Sequence, residues 1–205
     1  MMPNVFIFIG RSGCGKGTQS GLLRKYLSEK NNREIVYIET GVEFRKFIER
    51  DSYTNKLSKK VYEQGKRQPD FLASFMWTEA LIERFSGKEH LFLDGAPRSL
   101  LEAQSFETAV HFYNLTKPIV VFMDVSREWS KERLTERGRA DDLKKEKIDK
   151  RLNWFETDVS PAIAFMKNSS AYNLIRVNGE QTIEEVHAEI VNAVLPHLGL
   201  GDDNL

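Results

Sequence analysis

The chain has 205 residues, enough for one domain with small appended parts and a sizeable buried core. Its 30 Lys and Arg balance its 30 Asp and Glu, and this zero net charge excludes a global electrostatic pull toward nucleic acid or an anionic membrane. One cysteine, Cys14, excludes an internal disulfide framework, and the four histidines, His90, His111, His187 and His197, lack metal-ligand spacing.

The first element is the apolar run at residues 5–9, which reads as a strand and empties into Gly10-Arg11-Ser12-Gly13-Cys14-Gly15-Lys16-Gly17-Thr18. Gly13, Gly15 and Gly17 permit a tight concave path along which backbone amides converge on phosphate oxygens. Lys16 adds a mobile point charge for the outer phosphates, and Thr18 a hydroxyl near the phosphates and their magnesium. Residues 19–30 carry Leu22, Leu23, Tyr26 and Leu27 at helical spacing, so a helix N-terminus points at the bound anion. Cys14 reads as a small residue tucked under this loop and suits a reducing compartment. Residues 5–9 are too short for the apolar region of a secretory leader, and no run is long enough to cross a bilayer.

Further strands are predicted at 35–38, 91–93, 119–123 and 173–177, the third and fourth of the five without polar alternation and so covered on both faces. Helical patterns occupy 43–50, 55–64, 70–85, 101–112, 128–137 and 182–195. This alternation predicts an α/β unit with a parallel sheet, and the three helical stretches within 40–85 predict a small helical subdomain. Asp94 ends the third strand, where ligands of open parallel sheets bind, and can hold a water on magnesium. Gly95-Ala96-Pro97-Arg98 follows, a turn stiffened by Pro97 that aims Arg98. Asp124 has the same strand-end position, with Val125-Ser126 reading as a cap for the next helix.

Residues 143–166 read as helical with Pro161 inside, which kinks the helix or starts a new one with Ser160 as a cap. Before it, Asp141-Asp142 either hold a mobile flap through nearby arginines or form a solvated turn and N-cap. The tail, 199–205, is polar and expected to fray. Arg45, Arg98, Arg133, Arg137, Arg139 and Arg151 are spread over segments that converge only if the chain folds them over the sheet edge. Such a set beside a phosphate loop points to phosphoryl transfer, which demands positioning and neutralisation of charge. Aromatics such as Phe71, Phe75, Trp77, Trp154 and Phe155 recur at core spacings, and no basic stripe accompanies them for nucleic-acid binding.

Across nearly its whole length the chain resembles the adenylate kinase family of nucleoside monophosphate kinases. Residues 10–19 look like its phosphate loop. Thr40-Gly41-Val42-Glu43-Phe44-Arg45 looks like its first monophosphate-binding helix, with Thr40 toward the base and Arg45 toward the α-phosphate. Gly65 to Asp70 is similar to the bend closing that subdomain, and Asp94-Gly95-Ala96-Pro97-Arg98 to the motif whose arginine clamps the monophosphate. Residues 132–142 resemble the lid entry and turn, Lys150-Arg151-Leu152 the returning helix, and Asn178-Gly179 the turn whose backbone reaches the ATP adenine.

The resemblance implies a three-layer P-loop kinase fold across 1–205, with a five-stranded parallel sheet in the order 2-3-1-4-5. Within it lie a helical monophosphate-binding subdomain at 40–85 and a short lid region at 133–151. The implied activity is reversible, magnesium-dependent transfer of the γ-phosphoryl group of ATP to AMP, giving two ADP. ATP is then the donor and Mg2+ the cofactor, held by Asp94 through water and by Thr18. By carry-over, Gly13, Cys14, Gly15, Lys16, Gly17 and Thr18 bind ATP together with Gly179, and Arg133 covers its base. Lys16, Arg98, Arg137, Arg139 and Arg151 serve transfer, and Thr40, Arg45, Gly95, Arg98, Gln104, Arg139 and Arg151 bind the acceptor. Nucleotides are the expected partners, and the family's habit implies a cytoplasmic monomer.

Three departures stand out. The gap from Arg137 to Arg139 is short and implies a minimal lid. The family's adenine-reading glutamine comes four residues after the arginine matching Arg98; here Glu102 has that spacing, and Gln104 reaches adenine only through an extra turn or bulge. Ala96 replaces an aromatic. The second and third leave a UMP/CMP kinase as an alternative, whereas Thr40 points to AMP, and the short lid leaves a nucleotide-binding regulatory module without turnover.

Overall fold

The computed structural model describes residues 4–138 and 145–198. Arg139, Asp141, Asp142 and the 199–205 tail therefore lie outside the described residues. Five strands, β1 (Val5–Gly10), β2 (Ile35–Glu39), β3 (His90–Asp94), β4 (Ile119–Asp124) and β5 (Asn173–Asn178), form one sheet in the order β2-β3-β1-β4-β5. Every pairing in it is parallel, with Val5 beside Leu91 and Phe6 beside Ile119 on the two flanks of β1. The strand count, direction and order are those expected.

The two-residue period of the strands divides the core into two layers. Val5, Ile7, Ile9, Leu91, Leu93 and Val120 face one side. There they meet α4 (Asp70–Arg84), α5 (Leu100–Phe112) and α8 (Ser160–Asn168) through Trp77, Phe106 and Met166. Phe6, Phe8, Phe92 and Val121 face the other side, against α1 (Lys16–Lys30) and α9 (Ile183–Val194) through Leu23, Leu27, Val186 and Ile190. Both faces of β1 and β3 are covered, which is why these strands show no polar alternation.

Between β2 and β3 the chain inserts α2 (Thr40–Ile48), α3 (Tyr53–Glu63) and α4. Phe47, Leu72 and Met76 give this insertion a small cluster of its own, and Ser52 opens α3 with a capping box to Asn55. On the opposite flank α6 (Arg127–Arg137) and α7 (Lys145–Trp154) pack through Leu134, Ile148 and Leu152. Ser126 caps α6 by accepting the Trp129 amide at 3.2 Å.

The helix expected to run past Pro161 is divided. After α7 come five residues of π-helix, Phe155–Val159, before α8, and Pro161 occupies the first turn of α8. The proline cannot donate to the previous turn, and the wider π turn absorbs the mismatch. Ser160 is not a cap: its hydroxyl donates to the Phe155 carbonyl at 3.0 Å, and no side chain caps α8.

At the far end of the sheet His90 is fully buried, its Nδ1 accepting the Asn4 amide at 3.0 Å. Burial, and then the charge of Arg33, lowers its pKa from 6.5 to about 4. Between these values the unfolded chain binds a proton that native His90 refuses, so stability is lost as pH falls from 6.5 toward 4. The loss attributable to this ring is about 3 kcal/mol at most. Denaturant titrations at pH 7.5 and 4.5 should show it, and His90→Gln should reduce the pH dependence by that amount.

Candidate active site

A cleft of about 1010 Å³ opens at the carboxyl ends of the strands. Its floor is the loop between β1 and α1. Gly13 and Gly15 both have φ of +90°, a conformation that side chains resist, and a Cβ at Gly10 would lie 2.5 Å from the Met123 carbonyl oxygen. The loop thus turns tightly over β4 and delivers the chain into α1, which begins at Lys16, three residues earlier than the apolar spacing indicates. No side chain caps α1, so its first amides face the cleft. The Lys16 ammonium folds back over the loop and donates to the carbonyls of Gly10 and Arg11, each at 2.9 Å. Cys14 is buried beneath it, 3.5 Å from Lys16 Nζ.

Asp94 closes β3 beside this loop. Its side chain is buried, accepts the Tyr37 hydroxyl at 3.0 Å, and would lie 3.7 Å from a Cβ on Gly17. Burial raises its pKa, with Lys16 and the Tyr37 bond opposing. Tyr37 is itself pushed up, by burial and then by Asp94. Thr18, exposed on the first turn of α1, lines the same part of the cleft. Among the described residues no three His, Cys, Asp or Glu side chains cluster to hold a metal. A buried carboxylate and one hydroxyl beside a phosphate loop fit magnesium nonetheless, because that ion takes few protein ligands and relies on substrate phosphates.

The acceptor side is built by α2 and the turn after β3. Thr40, buried at the start of α2, donates toward the Asp94 carbonyl at 3.5 Å. Arg45 lies over Gly41 and pairs with Glu39 at 3.3 Å. Arg98 is exposed to the cleft and folds back over Gly95, whose φ is +79°; the charges of Glu102, Asp94, Arg151 and Arg67 all act on it. Across the cleft Arg133 stacks on Trp129, 4.8 Å from the ring centre, and Arg137 and Arg151 line the wall. Gly179 donates its amide to the Asp124 carbonyl at 2.9 Å, and a Cβ there would come within 2.5 Å of Val125 Cγ1.

Those features, a phosphate loop and five converging arginines around one cleft, agree with the family comparison: residues 8–171 match the model described as Adenylate kinase. The chain belongs to the adenylate kinase family. It is 30% identical over 198 residues to the adenylate kinase of Flavobacterium psychrophilum, covering 93% of this chain and 99% of that one. It is also 33% identical over 179 residues to the adenylate kinase of Prochlorococcus marinus strain MIT 9515, covering 87% and 93%. Adenylate kinase 1 of Nostoc sp. is 31% identical over 184 residues, covering 90% and 95%.

Gln104 is the clear correction. No extra turn or bulge follows Arg98: Ser99 caps α5 by accepting the Glu102 amide at 3.2 Å, and the helix runs from Leu100. Two residues along a helix turn the side chain about 200°, so Glu102 faces the cleft and Gln104 is exposed outside it. Gln104→Ala should leave the kcat/KM for AMP within about twofold, the range of a surface change; steady-state assays with varied AMP check it.

The cleft also holds side chains to which those motifs gave no role. Arg11 packs over the Phe155 ring at 4.1 Å, donates to the Val125 carbonyl at 3.0 Å and pairs with Glu156 at 3.5 Å. Arg67, on the turn between α3 and α4, donates to Asp70 and approaches Glu102 at 3.3 Å. Burial works against the charge of Arg67, but Asp70, Asp158 and Glu102 outweigh it and raise its pKa. Glu102 is raised by burial, with Arg98 and Arg67 opposing. The Lys66-Arg67 pair inside the bend at 65–70 was the only sequence signal, and a basic pair in a turn has many uses.

Proposed function

We propose that this protein transfers the γ-phosphoryl group of ATP to AMP, reversibly and with magnesium, giving two ADP. The observation that carries the proposal is the placement of one basic phosphate loop and two separate arginine groups around a single cleft. The loop amides and Lys16 hold the donor phosphates, with Arg133 and Gly179 bounding its base. Arg45 and Arg98 hold the acceptor phosphate in line, and Arg137 and Arg151 neutralise charge on the transferring group. Arg139 joins that set by resemblance, from outside the described residues. Magnesium, held through Asp94 and Thr18, would supply neutralising charge on the donor phosphates.

In this reading 40–85 is the acceptor-binding subdomain and 133–151 the lid of one kinase domain. A hydrogen bond links those parts, Lys150 Nζ donating to the Gln64 carbonyl at 3.4 Å, and Lys147 lies so near Gly65 that an added Cβ there would come within 2.9 Å of its Cγ. Closure matters because an open site lets water compete with AMP. No helix among the described residues is long and apolar enough to cross a membrane; by family habit, we propose a cytoplasmic monomer acting on free nucleotides.

Coupled assays with ATP and AMP, UMP, CMP or GMP test the reading. Magnesium-dependent formation of two ADP per AMP, at a rate above that for the other acceptors, is expected. A preference for UMP or CMP would favour the pyrimidine kinase that Glu102 and Ala96 suggest. ATP binding without transfer to any acceptor would mean a regulatory module.

A further inference from the structure

Arg67 lines the cleft with 22% of its side chain exposed, and three carboxylates surround it. Its Nη2 donates to Asp70 Oδ1 and lies 3.3 Å from Glu102 Oε1, while Nη1 is 3.8 Å from Asp158 Oδ1. Glu102 is almost sealed, with 1% of its side chain exposed. The Ser99 hydroxyl stitches the clamp together, 2.9 Å from Asp70 Oδ1 and 3.4 Å from Glu102 Oε1. The turn after α3, the first turn of α4 and the first turn of α5 therefore share one polar knot.

Two physical consequences follow. Contacts from several sides fix the guanidinium, so it presents its cleft edge without a further loss of side-chain freedom. The carboxylates also offset its charge, which weakens it as a phosphate clamp and leaves a rigid donor suited to a neutral partner. The neighbouring wall contains Phe44 and Ala73, and Thr40 and Arg45 line the same end of the cleft. A flat ring attached to a phosphate held by Arg45 and Arg98 would enter between them.

We propose that Arg67 reads the acceptor's base, donating from its guanidinium to an unprotonated ring nitrogen, with Glu102 and Asp70 as positioning residues. The inference rests on the AMP kinase reading above. A guanidinium donates and never accepts. Adenine N1 and cytosine N3 accept such a bond, whereas N1 of hypoxanthine and guanine and N3 of uracil carry a hydrogen. The site therefore selects amino bases over oxo bases through one donor-only group. No glutamine is needed, and the sealed Glu102 acts by holding Arg67.

The test uses AMP, 1-deaza-AMP, in which a C–H replaces N1, and IMP, in which N1 carries a hydrogen. In the parent enzyme kcat/KM should favour AMP over 1-deaza-AMP by about 10–100-fold, the worth of one hydrogen bond to a charged group, and over IMP by at least as much. Arg67→Met should bring AMP down to the 1-deaza-AMP level, so that their ratio approaches one. Glu102→Gln should lower that ratio severalfold and raise the KM for AMP while leaving the KM for ATP in place; a merely structural role would move both. A parent ratio near one, or a ratio that Arg67→Met leaves unchanged, overturns the proposal.

Should Arg67→Met melt below the assay temperature, the parent's series decides alone. Calorimetric Kd values for AMP and 1-deaza-AMP separate this inference from the reading beneath it. A tenfold preference for AMP without turnover would sink the kinase reading and keep the role of Arg67. Turnover with equal affinities would sink only the role of Arg67.

Discussion

Lys16→Ala should lower kcat by about 10²–10³-fold or more while leaving the fold intact. The Lys16 ammonium sits 2.9 Å from the carbonyls of both Gly10 and Arg11, at the edge of the cleft rather than in the core. With the side chain gone, water can satisfy those carbonyls, and the glycine conformations that shape the loop do not depend on it. The lost charge matters only when triphosphate is present, because the loop amides carry partial charges and Lys16 a full one. Ammonium is compact with three rotatable donors, so it can leave the carbonyls and follow the phosphoryl group as charge shifts between donor and acceptor. Lys16→Arg should not restore turnover, since a wide planar fork cannot occupy the space between the loop and Cys14. The measurement is single-turnover transfer from ATP to AMP, together with a thermal melt. Near-normal transfer in Lys16→Ala would remove Lys16 from the chemistry.

What the sequence discloses of this protein follows from which features have a local cause. Strand ends before Asp94 and Asp124 are legible because both faces of the sheet are buried and the apolar runs stop where polar chemistry begins. The phosphate loop is legible because its glycines answer to backbone conformation. Helix phase is harder. Placing the start of α5 at 101 rather than 100 is a small matter, and the Ser99 cap with Glu102 three residues on was available as a start signal. The choice between Glu102 and Gln104 as the residue facing the cleft turns on an extra turn or bulge after Arg98, which this cap excludes. Arg67 was out of reach for another reason: its role depends on Asp70, Glu102 and Asp158, up to 91 positions apart along the chain (158 − 67), and no periodicity encodes such a meeting. The π turn at Phe155–Val159 is equally silent, because the sequence marks Pro161 but not how the preceding backbone accommodates it.

Gly95→Ala should reproduce most of the loss caused by removing Arg98, although it removes no functional group. Gly95 has φ of +79°, and a Cβ built on it overlaps Arg98 Nη2 and comes within 3.2 Å of both Cζ and Nε. Left-handed backbone costs an ordinary residue about 1–2 kcal/mol, a tolerable loss for a domain of this size. The overlap is different in kind. It involves the end of a long side chain, so Arg98 relieves it by swinging away, and the fold keeps its stability while the cleft loses its clamp. Arg98→Met should reduce kcat/KM for AMP by about 10²-fold or more, the worth of charge-assisted bonds to a phosphate at the point of transfer. Gly95→Ala should come close to that figure with the KM for ATP little changed. The double variant supplies the decisive comparison: with Arg98 already gone, the added methyl should alter kcat/KM by less than about threefold, because two changes that act through one side chain are not additive. Independent, multiplying losses would mean that Gly95 serves the acceptor directly through its backbone, and a large drop in melting temperature would mean that strain, rather than the displaced arginine, dominates.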